Sequence, residues 1–273
     1  MGWPKAITEW HEGTTGYLSV PFTWLLPRAK LRIEQRDMFV HHWVVGGPAV
    51  NLLPDYLAHL DVEILSSAEG VLQRVNPLAT RTTVGCVRRC KFCGVRQIEG
   101  DFRELADWPN QPILCDNNLL AASDNHFARV IERLKQHGWC DFNQGLDARL
   151  LTANHATAIS TIPKPIVRLA LDNDQQREQW TTAIETLRSA GIAKRKIRSY
   201  VLCGFGASPE EDRARCEYVE SLGVMALPMW YHRLDALVHN DVTEAQKSMG
   251  WTHRKRRELM CWYYQHRTLA VRG

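Results

Sequence analysis

The amino-acid sequence predicts an α/β protein built around a parallel sheet. From residue 80 onward, short apolar runs typical of strands alternate with longer segments that repeat apolar residues at helical spacing. Such alternation is typical of sheets in which a helix connects each strand to the next. One further strand–turn–helix pattern precedes this region, and no strand pattern follows it. We therefore expect an N-terminal segment (1–74), a central α/β region (75–232) and a C-terminal helical extension (233–273).

The composition is that of an ordinary globular protein. The chain has 273 residues, of which 45% are hydrophobic and 23% are charged. It contains no apolar run of the length that spans a membrane, and its start lacks the basic flank and apolar stretch of a secretory signal. Eight cysteines are too few for a disulfide scaffold in a chain of this size. These features predict a cytoplasmic protein with reduced thiols and no membrane partner.

The N-terminal segment is predicted to contain a short Rossmann-like unit. Residues 37–45 have the pattern of a strand that ends in Gly46-Gly47-Pro48. A short helix is predicted around residues 50–59, and a second strand at 61–65. Strand, glycine-rich turn and helix follow one another in this order in Rossmann-like folds. Residues 1–35 are predicted to be irregular with short extended pieces.

The central region is predicted to contain six β/α units. One helix has Phe127, Val130, Ile131 and Leu134 on a single face, and another begins at the capping box that starts with Ser208. The predicted strands are a first one just before Cys86, followed by residues 112–115, 139–143, 166–171, 197–202 and 224–227.

A cluster of cysteines follows the first predicted strand. Cys86, Cys90 and Cys93 fall within eight residues in the spacing C-x3-C-x2-C, and Gly85 and Gly94 flank them. Thiolates so close in sequence can surround one small object if the chain forms a loop. Soft thiolate ligands favour an iron–sulfur cluster, zinc or copper(I). A structural zinc site more often uses two separate C-x2-C pairs, and the sequence has no second pair, so the spacing favours an iron–sulfur site.

This loop resembles the signature of the radical SAM superfamily, in which an aromatic residue, here Phe92, stands just before the last cysteine. The resemblance implies that Cys86, Cys90 and Cys93 hold three irons of a [4Fe-4S] cluster and that S-adenosylmethionine (SAM) chelates the fourth iron. It also implies reductive cleavage of SAM to a 5′-deoxyadenosyl radical, with electrons from an external reductant such as flavodoxin or ferredoxin. The implied fold is a partial (β/α)6 TIM-type barrel, which matches the six predicted units.

Polar residues gather where the predicted strands end, the edge that carries the active site in parallel barrels. Each of them is also a common helix cap or turn former. The resemblance places Asp116-Asn117-Asn118 where the family binds the SAM amino group, and it makes Phe92 and Gly204 candidates to flank the adenine. The candidates for ribose contact are the polar residues after the third and fourth strands, namely Asn143, Gln144, Asp147, Asp172 and Asn173.

The segment at 38–65 resembles the end of the cobalamin-binding domain that precedes many radical SAM enzymes. The sequence upstream is too short for a complete domain of that kind, and the Asp-x-His-x-x-Gly loop that supplies the lower cobalt ligand is missing. We therefore expect a truncated remnant of the cobalamin-associated branch, without cobalamin.

The C-terminal extension contains a basic segment at residues 252–267. Arg254, Lys255, Arg256 and Arg257 precede an apolar and aromatic stripe, Leu259, Trp262, Tyr263 and His266, which is typical of a helix packed on the rest of the protein. The basic residues are interpreted as a solvated helix end, with contact to nucleic acid as the alternative.

The resulting hypothesis is a radical SAM enzyme acting on an unknown substrate. One alternative is a non-catalytic zinc or iron–sulfur module that contacts nucleic acid through the basic C-terminal helix. Another is a radical SAM methyl or methylthio transferase that modifies a nucleic acid. The absence of a cobalamin loop and of further clustered cysteines weakens this last alternative.

Overall fold

The computed structural model describes residues 6–35, 37–65 and 70–270, with side chains through Cys261. The chain divides into two compact units. The predicted central region and C-terminal extension fall mostly into the second unit, whereas parts of the cysteine loop and of the segment after residue 231 belong to the first. The first unit comprises Met1–Ala79, Arg89–Gly100 and His232–His239, and the second comprises Thr80–Arg88, Asp101–Tyr231 and Asn240–Gly273.

The first unit is built on a four-stranded sheet in the order β1-β2-β3-β4. Strands β1 and β2 form an antiparallel hairpin, and β2, β3 and β4 are parallel. A buried cluster that includes Leu18, Val45 and Leu57 forms its core. The elements are β1 (Thr8–Glu12), β2 (Thr15–Ser19), α1 (Leu26–Glu34), β3 (His42–Gly46), α2 (Pro48–Leu52), β4 (Glu63–Leu65), α3 (Val71–Val75) and α4 (Val95–Glu99), with 3-10 turns at Thr23–Leu25 and Pro54–Tyr56.

The predicted strand–turn–helix unit is present at β3 and α2. Gly47 has a φ of +102°, and a Cβ atom there would lie 2.8 Å from the backbone N and O of Val20. Only glycine therefore allows the end of β3 to approach the backbone of Val20, just after β2, so closely. Strand β3 begins later than predicted, because an oxygen of Asp37 accepts a hydrogen bond from the Phe39 amide and forms a turn. The short extended pieces predicted within residues 1–35 are present as β1 and β2, whereas the helix α1 was not predicted.

The second unit is built on a six-stranded sheet in the order β12-β11-β10-β9-β8-β5. Neighbouring strands from β8 to β12 are parallel and follow one another in sequence, as predicted. The strands are β5 (Ala79–Thr80), β6 (Thr83–Val84), β7 (Arg103–Glu104), β8 (Ile113–Leu114), β9 (Cys140–Phe142), β10 (Pro165–Leu171), β11 (Ile197–Cys203) and β12 (Met225–Trp230).

Helices follow most of these strands, and α5 has a buried face that includes Phe127, Val130, Ile131 and Leu134, as the apolar spacing predicts. The Ser208 capping box begins the helix after β11, and the hydroxyl of Ser208 accepts from the amide of Glu211. None of the helices within the described chain has both the length and the apolar character needed to cross a lipid bilayer. The helices are α5 (Asp124–Lys135), α6 (Ala153–Ser160), α7 (Arg177–Ser189), α8 (Pro209–Ser221), α9 (Glu244–Ser248) and α10 (His253–Ala270), with 3-10 turns at Leu119–Ala121, Asp174–Gln176 and Lys194–Lys196.

The first strand of the six-stranded sheet lies earlier in the chain than predicted. Strand β5 ends at Thr80, and the segment directly before Cys86 is β6, which pairs antiparallel with β7 in a separate two-stranded sheet. The amide of Cys115 donates to the carbonyl of Thr80, which belongs to β5. The amide of Leu105, just after β7, donates to the carbonyl of Thr82. The chain thus leaves the parallel sheet before it reaches the cysteine loop.

The two faces of the parallel sheet differ in character. Along β10 and β11 buried residues alternate with half-buried ones. The buried side chains, such as Leu169, Leu171 and Val201, belong to the core that also contains Trp180 of α7. The half-buried positions of the other face carry both polar and apolar side chains, and Arg168 there forms an ion pair with Asp141 of β9. One face of the sheet is therefore covered by helices, whereas the other is half-buried and includes an ion pair between neighbouring strands.

Gly204, just after β11, offers a test of this packing. It has a φ of +78°, and a Cβ atom would lie 2.5 Å from the Trp230 ring, whereas at Gly206, with a φ of +69°, it would meet no atom within 4 Å. We expect Gly204→Ala to lower the free energy of unfolding by about 2–4 kcal/mol, because strain and overpacking add. Gly206→Ala should lose only about 1–2 kcal/mol from strain. Urea denaturation measures both, and equal losses would contradict this account.

Candidate functional site

The three cysteines predicted to bind iron are divided between the two compact units. Cys86 belongs to the second unit, whereas Cys90 and Cys93 belong to the first. None of the three forms a disulfide bond among the described residues, and all three are at least partly exposed. The Cys86 sulfur is approached by the amide N of Arg88 at 3.4 Å and by the side-chain N of Asn118 at 3.6 Å. Both contacts direct an N–H group at the sulfur.

Across the described residues, no three His, Cys, Asp or Glu side chains are gathered in an arrangement that would hold a metal ion. Within the first unit, the amide of Cys93 donates to the carbonyl of Cys90 at 3.1 Å, which forms a tight turn between them. The role of the three cysteines as iron ligands therefore stays a prediction.

Asp147, after β9, connects the cysteine loop to the end of the parallel sheet. Its Oδ2 atom accepts from Nε of Arg88 at 2.7 Å, and Arg149 donates to both of its carboxylate oxygens. Asn118 lies 3.4 Å from the same Oδ2 atom. Burial by itself raises the pKa of Asp147, but the hydrogen bonds from Arg149 and Arg88 outweigh it and hold the pKa below its usual value. Asp147 is therefore ionised and positions Arg88 of the loop.

Three buried carboxylate or amide oxygen atoms near the strand ends lack hydrogen-bond donors within the described chain. They are Oδ2 of Asp116 and Oδ1 of Asn118, after β8, and Oδ1 of Asn173, after β10. Asp116 is only 4% exposed and Asn118 only 1%. A buried acceptor without a donor destabilises a protein by about 1–3 kcal/mol. A ligand that presents N–H or O–H groups would satisfy these oxygens.

Asp116 makes the densest set of hydrogen bonds in this region. Its Oδ1 atom accepts from the amide and hydroxyl of Thr82 at 2.8 and 3.0 Å, and from those of Thr83 at 2.5 and 2.7 Å. Burial raises the pKa of Asp116, and these four donors act in the opposite direction. Instead of extending freely from the end of its strand, the Asp116 side chain holds the segment that leads into the cysteine loop.

The hydrogen bonds of Asp116 continue to two residues that sequence reasoning missed. Nε2 of the buried His126 lies 3.2 Å from the Thr82 hydroxyl, and Nδ1 lies 3.5 Å from a carboxylate oxygen of Glu104. Burial lowers the pKa of His126, although Glu104 opposes this shift. Helical spacing identified the buried face of α5 but gave no signal that His126 would complete a chain from Asp116 to Glu104.

The carboxyl group of Asp172, after β10, has a raised pKa. Burial raises the pKa of its carboxyl group to about 6, although Arg149 and Arg215 oppose the shift. The negative charge of Asp147 raises the pKa of Asp172 further. Titratable groups with pKa values close to neutral often serve in functional sites.

The structure places the other predicted residues in varied settings. Phe92 lies in the part of the loop that belongs to the first unit, and Asn117 is half-buried. The Asn143 carbonyl accepts from the Tyr200 hydroxyl at 2.5 Å, and Gln144 is exposed, with no hydrogen bond to another described residue. Gly204 donates to Asp212 and accepts from Gln246, so both of its backbone polar groups are already bonded.

Most of the basic residues at the start of α10 make contacts with nearby side chains. Lys255 pairs with Glu210 at 3.0 Å, and Arg254 lies 3.8 Å from Glu258. The guanidinium of Arg256 lies 5.9 Å from the Trp230 ring centre. These contacts support the interpretation of a solvated helix end. The side chains of Trp262, Tyr263, His266 and Arg267 lie outside the described residues.

Neither a scan against protein-family models nor a search of curated proteins finds a match to this chain.

The role of Asp116 leads to a prediction about stability. We expect Asp116→Ala to lower the free energy of unfolding by about 2–4 kcal/mol, because it leaves buried donors of Thr82 and Thr83 unpaired. Asp116→Asn keeps a carbonyl acceptor and should lose less. Urea denaturation tests both variants, with Asp124→Ala on the exposed first turn of α5 as a control. An unchanged midpoint for Asp116→Ala would show that the four hydrogen bonds contribute little.

The raised pKa of Asp172 predicts a pH dependence. Because the folded state keeps this carboxyl protonated up to about pH 6, it binds more protons than the unfolded chain between about pH 4 and 6. The contribution of Asp172 to stability is therefore present at low pH and is lost as pH rises toward 6. Asp172→Asn should flatten the fall in unfolding free energy over this range by roughly 1–3 kcal/mol. Parallel curves for the variant and the original chain would refute the perturbed pKa.

Proposed function

We propose that this protein is a radical SAM enzyme whose cluster is held by Cys86, Cys90 and Cys93. The observation that carries the proposal is the Asn118 side chain. Its nitrogen lies 3.6 Å from the Cys86 sulfur, and its oxygen is buried without a donor among the described residues. One side chain thus combines a contact to a predicted iron ligand with an unsatisfied acceptor. SAM carries an amino group and two ribose hydroxyls, which are donors of the required kind.

The architecture of the second unit is compatible with this function. Its parallel strands from β8 to β12 follow one another in sequence, and polar residues come within two positions of the ends of β8, β9 and β10. We infer that the sheet corresponds to the partial (β/α)6 barrel of the radical SAM fold. In such barrels the carboxyl ends of the strands carry the active site. The parallel strands β2, β3 and β4 support the interpretation of the N-terminal segment as a cobalamin-domain remnant, and we propose no cobalamin.

The residues of this chain would divide the work as follows. Asn118 and the amide of Arg88 would donate hydrogen bonds to the sulfur of Cys86, and Asp147 orients Arg88. The free oxygens of Asp116, Asn118 and Asn173 would accept hydrogen bonds from the SAM amino group or ribose. Asp172, with a pKa of about 6, would be able to hold or release a proton near neutral pH.

When bound, the [4Fe-4S] cluster would supply the electron that cleaves SAM to methionine and a 5′-deoxyadenosyl radical. An external reductant such as flavodoxin or ferredoxin would provide that electron.

Anaerobic reconstitution with iron and sulfide tests the proposal. We expect about four irons per chain and a shift of the cluster's electron paramagnetic resonance signal when SAM is added. Dithionite should then produce 5′-deoxyadenosine. Single replacements of Cys86, Cys90 or Cys93 by alanine should abolish the SAM-dependent shift, because each thiolate holds a different iron.

Cys140→Ala is the matched control, because this thiol is buried in the core of the second unit. It should keep the iron content and the SAM response. If the chain instead bound one zinc tightly and did not respond to SAM, the proposed enzyme would be wrong and a zinc-binding module would be the better interpretation. An equal loss of iron in Cys140→Ala would overturn the assignment of the three loop cysteines.

A further inference from the structure

The second unit has a basic surface at the edge where strands β10 and β11 begin. We call it the basic edge. Residues 186–209 include five of its six cations and contain no Asp or Glu. Four of its residues are exposed and two are half-buried. The basic edge consists of Lys164, Arg188, Lys194, Arg195, Lys196 and Arg198.

Strand register brings these residues together. Val167 of β10 is paired with Ile197 of β11, and Lys164 and Lys194 each precede the paired residue by three positions. The 3-10 turn Lys194–Lys196 packs against β10. Because neighbouring strands lie about 4.8 Å apart, the cations before β10 and those before β11 form one patch. Arg188 joins it from the last turn of α7.

The basic edge differs from several other basic residues of the same unit, which have acidic partners. None of its six cations has a carboxylate within 4 Å among the described residues. Arg133, Lys135 and Lys255 by contrast pair with Asp107, Glu132 and Glu210.

Arg198 is an example of a cation in the basic edge whose positive charge is not compensated by a described carboxylate. It stands opposite Arg168 on the neighbouring strand, so two guanidinium groups belong to adjacent positions of the same sheet face. Asp141 compensates Arg168 through two hydrogen bonds, at 2.7 and 2.5 Å. Arg198 has no carboxylate of its own among the residues described. An external anion would relieve this excess of positive charge.

We propose that the basic edge binds the phosphodiester backbone of a nucleic acid. Several uncompensated cations at one edge suit a partner that repeats a negative charge along its length, and such contacts do not depend on base sequence. A lipid surface is a poorer fit, because membrane attachment also requires exposed apolar side chains. Within the described chain, the exposed large apolar residues all lie before residue 88 or after residue 228. This inference goes beyond the proposed function and does not depend on the cluster.

Fluorescence anisotropy with a labelled single-stranded RNA of about twenty nucleotides, and with DNA of the same sequence, tests the proposal. The full chain should bind the RNA, the DNA or both, with an affinity that falls steeply between about 50 and 200 mM salt. The double variant Lys194→Glu/Arg195→Glu should weaken binding at least about tenfold and reduce the salt slope by about two. Lys164→Glu/Arg188→Glu, on other elements of the same edge, should act in the same direction.

Arg254→Glu/Arg257→Glu is the matched control, since it changes the net charge equally at the start of α10. It should change the affinity less than about threefold. Circular dichroism and iron content, measured on every variant, separate loss of binding from loss of fold or of the cluster. Equal losses in the basic-edge and control variants, no measurable binding by the full chain, or equally tight binding to anionic phospholipid vesicles would each overturn the proposal.

Discussion

Four hydrogen bonds converge on a single carboxylate oxygen of Asp116, and the route of the chain into the cysteine loop depends on them. A buried carboxylate without partners is strongly unfavourable, so the amides and hydroxyls of Thr82 and Thr83 are what allow Asp116 to be buried. The same bonds hold Thr82 and Thr83 against the end of β8. The segment that leads to Cys86 therefore starts from a position that the parallel sheet determines.

The hydrogen bonds around Asp116 and Asp147 together connect several strand ends of the second unit. Thr82 links Asp116 to His126 on α5, and Asn118 links Cys86 to Asp147. Arginines, threonines or asparagine compensate Asp116 and Asp147, but Oδ2 of Asp116 and the amide oxygens of Asn118 and Asn173 have no donor among the described residues. This combination suits a ligand that brings donors and little net charge.

The opposite edge of the same sheet has a different electrostatic character. Where β10 and β11 begin, no described carboxylate lies within 4 Å of the six cations, whereas at the strand ends Asp147 is shared by Arg88 and Arg149. Unpaired cations attract polyanions over distances limited by salt screening, while paired ones mainly fix local geometry. The two edges are therefore suited to different partners, a small molecule at one and a phosphate backbone at the other.

The amino-acid sequence by itself determined the order of the parallel strands, the buried face of α5, the Ser208 capping box and the Gly46-Gly47-Pro48 turn. These features depend on residues close together in the chain, so periodicity and turn chemistry are sufficient to predict them. The cysteine spacing also predicts a metal site, which stays a prediction because no three metal-binding side chains are gathered among the described residues. Only the tertiary structure decided that Asp116 bonds to Thr82 and Thr83, 34 and 33 positions away. It also decided that Arg88 reaches Asp147 across 59 positions. Such partners are selected by the packing of distant elements, which leaves no pattern in a single sequence.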